Sequence, residues 1–124
     1  MNECAVDFSD RSADADPCEF FDITHPKARR EHRCTECRGP IAIGATYAKV
    51  AWKFEGTFGV DKVCEPCWEA MQEFDYHIFG GDFWSEMREA WEEGANVQGC
   101  INRLVSVDAK THMHQQWMKW KFPQ

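Results

Sequence analysis

The sequence predicts a small α+β domain: a metal-stapled β-hairpin and helix, followed by a helical C-terminal half. Three observations predict it. Two Cys-x-x-Cys pairs, Cys34/Cys37 and Cys64/Cys67, stand 26 residues apart. Between them apolar and polar residues alternate with period two, as in a half-buried strand. After them come stretches whose apolar residues recur at helical spacing. The 124 residues, 44% apolar, suit one domain with one core.

The first 22 residues carry seven acids and one Arg. Residues 1–22 are therefore expected to be a disordered acidic N-terminal arm, whose end Phe20, Phe21 and Ile23 dock on the domain. Residues 23–124 are expected to form a single zinc-stabilised domain. Within it, 23–79 is the hairpin-and-helix part and 80–124 a helical extension.

Gly39 and Pro40 follow the first pair, where a turn needs a permissive residue. Ile41–Ile43 reads as a short strand and Gly44 as a turn. Thr46, Ala48, Val50, Trp52 and Phe54 alternate with Tyr47, Lys49, Ala51 and Lys53, a strand with two faces. Glu55-Gly56 is a turn and Thr57–Val63 the returning strand.

Pro66 sits at a natural first helical position. A helix is expected from Pro66 to about Ile78, with Cys67, Met71, Phe74 and Ile78 on one face. Gly80-Gly81 breaks it. Asp82 is placed to cap the next helix, striped by Phe83, Met87, Ala90 and Trp91 and closed by Gly94. Val97, Cys100, Ile101, Leu104 and Val105 predict a third helix. Asp108 is placed to cap a fourth, with Ala109, Met113, Trp117 and Trp120 in register.

The seven cysteines are an odd number, and the opening MNECAVDFSD has no basic-then-apolar pattern. Neither a secretory signal nor a disulfide framework is expected, and the protein is expected in the cytoplasm. Cys4 and Cys18 read as tail thiols and Cys100 as a buried core residue. The remaining four suit one structural Zn²⁺, which takes four thiolates at about 2.3 Å in a tetrahedron. A two-residue spacer lets one tight turn aim both sulfurs at one centre. A redox-active Cys-x-x-Cys usually stands alone near a βαβ pattern, and neither condition holds. Four protein ligands leave no open position, so the metal is not expected to be catalytic. Arg33, Arg38 and Lys62 are placed to offset the charge of the thiolates.

A Cys-x-x-Cys turn, a hairpin, and a second Cys-x-x-Cys opening a helix is the treble-clef order of elements. HRCTECRGPIAIGATYAKV followed by KVCEPCWEAM resembles the small Cys₄ zinc proteins of bacteriophage and prophage genomes. The first knuckle is also LIM-like. The resemblance covers about residues 29–71. It implies zinc ligation by Cys34, Cys37, Cys64 and Cys67, and no reaction.

Catalysis is not expected. A nuclease-like treble clef needs a His on the hairpin and further His or Asn on the next helix. Residues 38–63 hold no His, and His77 comes about ten residues into the expected helix. His112 and His114, two apart on a helix, diverge. No glycine phosphate loop or H-E-x-x-H is present. The expected function is a zinc-stabilised, non-enzymatic phage or prophage accessory module that contacts a protein partner in the host cytoplasm. The acidic balance, net −7, and the Trp and Arg content suit protein contact. The alternative is a nucleic-acid-binding zinc finger using the basic segment 27–53, where Arg29, Arg30, Arg33, Lys49, Trp52 and Lys53 mix cations with an aromatic. A degenerate nuclease-like treble clef is the second alternative. No membrane and no small-molecule substrate are expected.

Overall fold

The computed structural model describes Cys4, Val6, Phe8 and residues 20–77 and 80–123. The chain is α+β. Strands β1 (Phe20–Thr24), β4 (Tyr47–Phe54) and β5 (Thr57–Cys64) form one antiparallel sheet in the order β1-β4-β5. Strands β2 (His32–Arg33) and β3 (Pro40–Ile41) form a second, two-stranded sheet. Four helices follow among the described residues: α1 (Glu65–Glu73), α2 (Phe83–Glu92), α3 (Val97–Arg103) and α4 (Val107–Lys121).

The β4–β5 hairpin follows directly from the alternation. Ala48, Val50 and Val63 are fully buried on one face, Ala48 and Val63 within the core shared with the helices, and Phe54↔Thr57 closes the register. Glu55 and Gly56 both have positive φ, 50° and 79°. Two successive left-handed residues match the twist of the flanking strands.

The helices depart from expectation at their ends. Helix α1 stops at Glu73, about one turn early, and Asp75 takes a left-handed φ of 58°. The chain then turns so that Tyr76, rather than a continued stripe, enters the core beside Phe74. Ile78 lies outside the described residues. Asp82 precedes α2 but makes no side-chain cap. In α4 the cap is Ser106, whose hydroxyl accepts from the Ala109 N–H at 3.0 Å; Asp108 already lies inside the helix. A hydroxyl two residues earlier reaches the orphan N–H that the Asp108 carboxylate cannot. Ala109 and Met113 are buried, while Trp117 and Trp120 pack half-exposed against the core.

The beginning of the chain requires a correction. Cys4 is bonded to Cys100 in a disulfide across 96 residues of sequence, so these two are neither a tail thiol nor a free core thiol. Val6 and Phe8 are each 8% exposed, and Phe8 meets Tyr76 and Phe83 edge-on. The Arg103 guanidinium donates to the Cys4 and Val6 carbonyls at 3.3 and 2.8 Å. It also donates to the Glu73 carbonyl and lies 4.0 Å from the Phe74 ring centroid. Alternate apolar residues at 4, 6 and 8 bury one side of this segment, which the acidic count conceals. Strand β1 crosses the expected boundary at residue 22 and is fully paired with β4. Cys18 and the acids at 10, 14 and 16 lie outside the described residues.

Candidate metal centre

The first ligand pair sits on a turn gripped from both sides. The Cys34 N–H donates to the Gly39 carbonyl at 2.8 Å, and the Arg38 N–H to the Cys34 carbonyl at 2.9 Å. The left-handed residue of this turn is Arg38, at φ 64°, and not Gly39. Gly39 serves a different need. Its N–H donates to Cys37 Sγ at 3.4 Å, and a Cβ there would stand 3.4 Å from the same sulfur. Arg33 donates to the Arg38 carbonyl and fastens the turn's base.

The second pair comes from the end of β5 and the first turn of α1. Thr35 joins the two pairs: its N–H donates to the Lys62 carbonyl at 2.8 Å, and its hydroxyl accepts from the Lys62 N–H at 3.3 Å. Those two bonds hold the knuckle against β5 and bring all four sulfurs together.

Cys34, Cys37, Cys64 and Cys67 place their Sγ atoms within 4.8 Å of one another, with Cys34 and Cys67 buried and the other two half-buried. Cys37 and Cys64 sulfurs are 3.8 Å apart. A tetrahedron of thiolates at about 2.3 Å from a metal has edges of about 3.8 Å, so the set fits a Zn-sized ion. The sulfurs also receive polar hydrogens. Cys64 N–H donates to Cys34 Sγ at 3.3 Å, and the Trp84 indole N–H to Cys67 Sγ at 3.2 Å. His112 Nε2 lies 3.3 Å from Cys67 Sγ.

Hydrogen bonding among the sulfurs holds the Cys37 thiol well below its ordinary range and drives Cys64 and Cys67 well above it. Cys34, raised by Cys37 but lowered by Cys64 and Cys67, comes down to about 7. Four sulfurs crowded this closely cannot all ionise without a cation between them.

Three residues of this region escape a reading of the sequence. Glu36, inside the first Cys-x-x-Cys, is buried at 4% exposure. Its carboxylate accepts from Gly80, Gly81 and Phe83 N–H groups at 3.4, 3.1 and 3.1 Å. It thereby does for the start of α2 what Asp82 does not. Burial pushes its carboxyl pKa upward, and the three N–H donors oppose that. Trp84 from α2 and His112 from α4 converge on Cys67. The signal available for His112 was only helical spacing, which separates it from His114 but cannot aim it.

The other predicted residues are not gathered into one site. Arg29, Arg30, Arg33 and Lys49 are exposed. Lys53 Nζ lies 5.2 Å from the Phe58 ring centroid. Trp52 projects to the opposite face of the sheet from Lys49 and Lys53, and a Cβ at Gly59 would be 2.0 Å from its indole. Arg33 and Lys62 fasten backbone and His32 rather than sulfur. His77 lies beyond α1 and pairs with Asp75 at 3.0 Å. No helix among the described residues is long and apolar enough to cross a membrane.

The chain matches no family model, no curated protein and no solved structure.

Proposed function

We propose that this chain is a non-catalytic binding module of treble-clef type, built on one structural zinc held by Cys34, Cys37, Cys64 and Cys67. The observation that carries the reading is the closed set of four sulfurs within 4.8 Å. Four thiolates complete zinc's preferred tetrahedron and leave no position for a water or substrate. His112 is directed at a ligand sulfur, which suits a supporting role rather than a fifth ligand. Knuckle, hairpin and helix follow one another in treble-clef order, and the resemblance to phage and prophage zinc proteins supplies the setting. There the module serves as an accessory protein through contacts with a partner protein in the host cytoplasm.

The test is metal analysis combined with cobalt substitution. Protein purified without chelator should contain about one zinc per chain. Cobalt exchanged into the site should give the intense sulfur-to-metal absorption of a tetrahedral thiolate centre. A folded, metal-free protein, or a cobalt spectrum of octahedral oxygen type, would refute the reading.

A further inference from the structure

We propose that the outward face of the β1-β4-β5 sheet binds single-stranded nucleic acid, with Lys49 and Lys62 holding phosphates and Phe58 stacking on a base. This goes one step beyond the binding-module reading, on which it rests, and concerns a surface that begins one row from Cys64 and runs away from it along the strands.

Register defines the face. Thr24, Lys49 and Lys62 form one row across the three strands, and Asp22, Ala51 and Val60 the next. Lys53 and Phe58 stand opposite each other in the third. The reverse face carries the buried Ala48, Val50 and Val63, of which Ala48 and Val63 join the core shared with the helices. Phe58 is 72% and Val60 50% exposed on the outward face, and Asp22, Thr24 and Lys49 are exposed beside them.

Two features of the face suit an anionic strand. Lys49 and Lys62 are paired directly across β4 and β5. Like charges so placed destabilise a sheet, and an anion lying over both removes that cost. Lys62 is half-buried, with its Nζ 3.1 Å from His32 Nδ1. No ion pair of Lys49 or Lys62 occurs among the described residues. Asp22 is the acid within the three rows.

The second feature is Phe58, a large ring left in solvent at the far end of β5 with the Lys53 ammonium 5.2 Å from its centroid. A cation beside an exposed ring, with further cations about 13 Å along the strand, matches a backbone that runs along the strands while its bases stack. An exposed ring takes a single strand, whose bases are free to stack, in preference to a duplex, whose bases are already stacked. The net charge of −7 does not forbid this. At physiological salt, charges beyond about 8 Å are largely screened, so the field at the face is set by its own lysines. The basic segment expected from sequence is thus only partly the site. Lys62, Phe58 and Val60 enter from β5, and Trp52 leaves it.

The experiment is fluorescence anisotropy of labelled oligothymidylate of about 12 nucleotides with zinc-loaded full-length protein, from about 50 to about 200 mM salt. A duplex of the same length and a polyglutamate peptide serve as competitors. Binding should weaken with salt, and Lys49→Gln and Lys62→Gln should each flatten the logarithmic salt slope by about 0.7. Phe58→Ala should weaken binding about 5- to 150-fold and leave that slope unchanged. Duplex should compete poorly and polyglutamate hardly at all. No binding at the lowest salt would overturn the proposal. So would competition by polyglutamate as effective as by oligothymidylate together with an indifferent Phe58→Ala, which would mark an acidic protein surface. Zinc content of each variant is measured alongside, and its loss indicts the module reading instead.

Discussion

The two halves of this molecule are stabilised in opposite ways. The half from Arg29 to Cys67 has a two-residue pair of strands, a hairpin with one open face, and four sulfurs at its centre. The helical half has the large buried side chains: Phe74, Tyr76, Phe83, Met87, Leu104 and Met113. A two-stranded hairpin is marginal alone, whereas a ring of large apolar residues makes a core without further help. The halves share one apolar core, in which Ile41, Tyr47, Ala48 and Val63 join Phe74, Phe83 and Met113, and polar contacts add to it. Glu36 of the knuckle receives the first N–H groups around α2, and Trp84 and His112 of the helices reach Cys67. The four-sulfur cluster of the knuckle half is therefore also contacted by the helical half.

The largest expected effect breaks the knuckle half. Structural zinc supplies an apparent ~10–16 kcal/mol in small fingers, more than the ~5–15 kcal/mol of a whole domain. Cys37→Ser, Cys64→Ser and Cys67→Ser should each lose metal and the hairpin's circular dichroism signature. Cys100→Ser, which removes only the bridge to Cys4, should keep its metal. Retention of full zinc by Cys67→Ser would refute the ligand assignment.

Next in size is a cut in the helical half. Deleting residues 1–19 removes Val6, Phe8 and the bridge. Two buried side chains alone are worth about 3–6 kcal/mol, and closing so long a loop about 4–5 kcal/mol more in the chain-entropy view. The thermal midpoint should fall by well over ten degrees with zinc content unchanged. A midpoint within two or three degrees of the parent would mean that the segment is dispensable.

The contact between the halves is tested by Glu36→Ala. It leaves buried N–H groups without an acceptor, at a cost of about 2–3 kcal/mol, while the four thiols stay in place. Denaturant titration should show the loss. Zinc bound at saturating metal should be unaltered, and a shift under about 0.5 kcal/mol would contradict the cap.

Smallest is the removal of support from Cys67. Trp84→Phe and His112→Ala should retain zinc but release it to a chelator about 10–100 times faster than the parent. Competition with a colorimetric chelator reads this directly, and unchanged release would leave those contacts without consequence.

How far the sequence reveals this molecule follows the same division. The hairpin was legible because alternation and a two-residue turn are local. The clustering of the four cysteines was legible because each Cys-x-x-Cys is local and the intervening strands return. The helices were legible in position from their periodicity. What stayed hidden joins distant positions: Glu36 to Phe83 across 47 residues, His112 to Cys67 across 45, and Cys4 to Cys100 across 96. No local pattern encodes such contacts. The acidic count over the first 22 residues concealed the buried Val6 and Phe8 and the bridge from Cys4.

Amide hydrogen exchange with and without metal tests most directly the claim that the metal site holds both halves. Zinc removal should deprotect the β4–β5 hairpin and, with it, the amides of Gly81 and Phe83 that Glu36 accepts, while the middle of α4 around Met113 exchanges last. If chelation opened the hairpin but left the start of α2 as protected as in the zinc-loaded protein, the two halves would be independent and the account would be wrong.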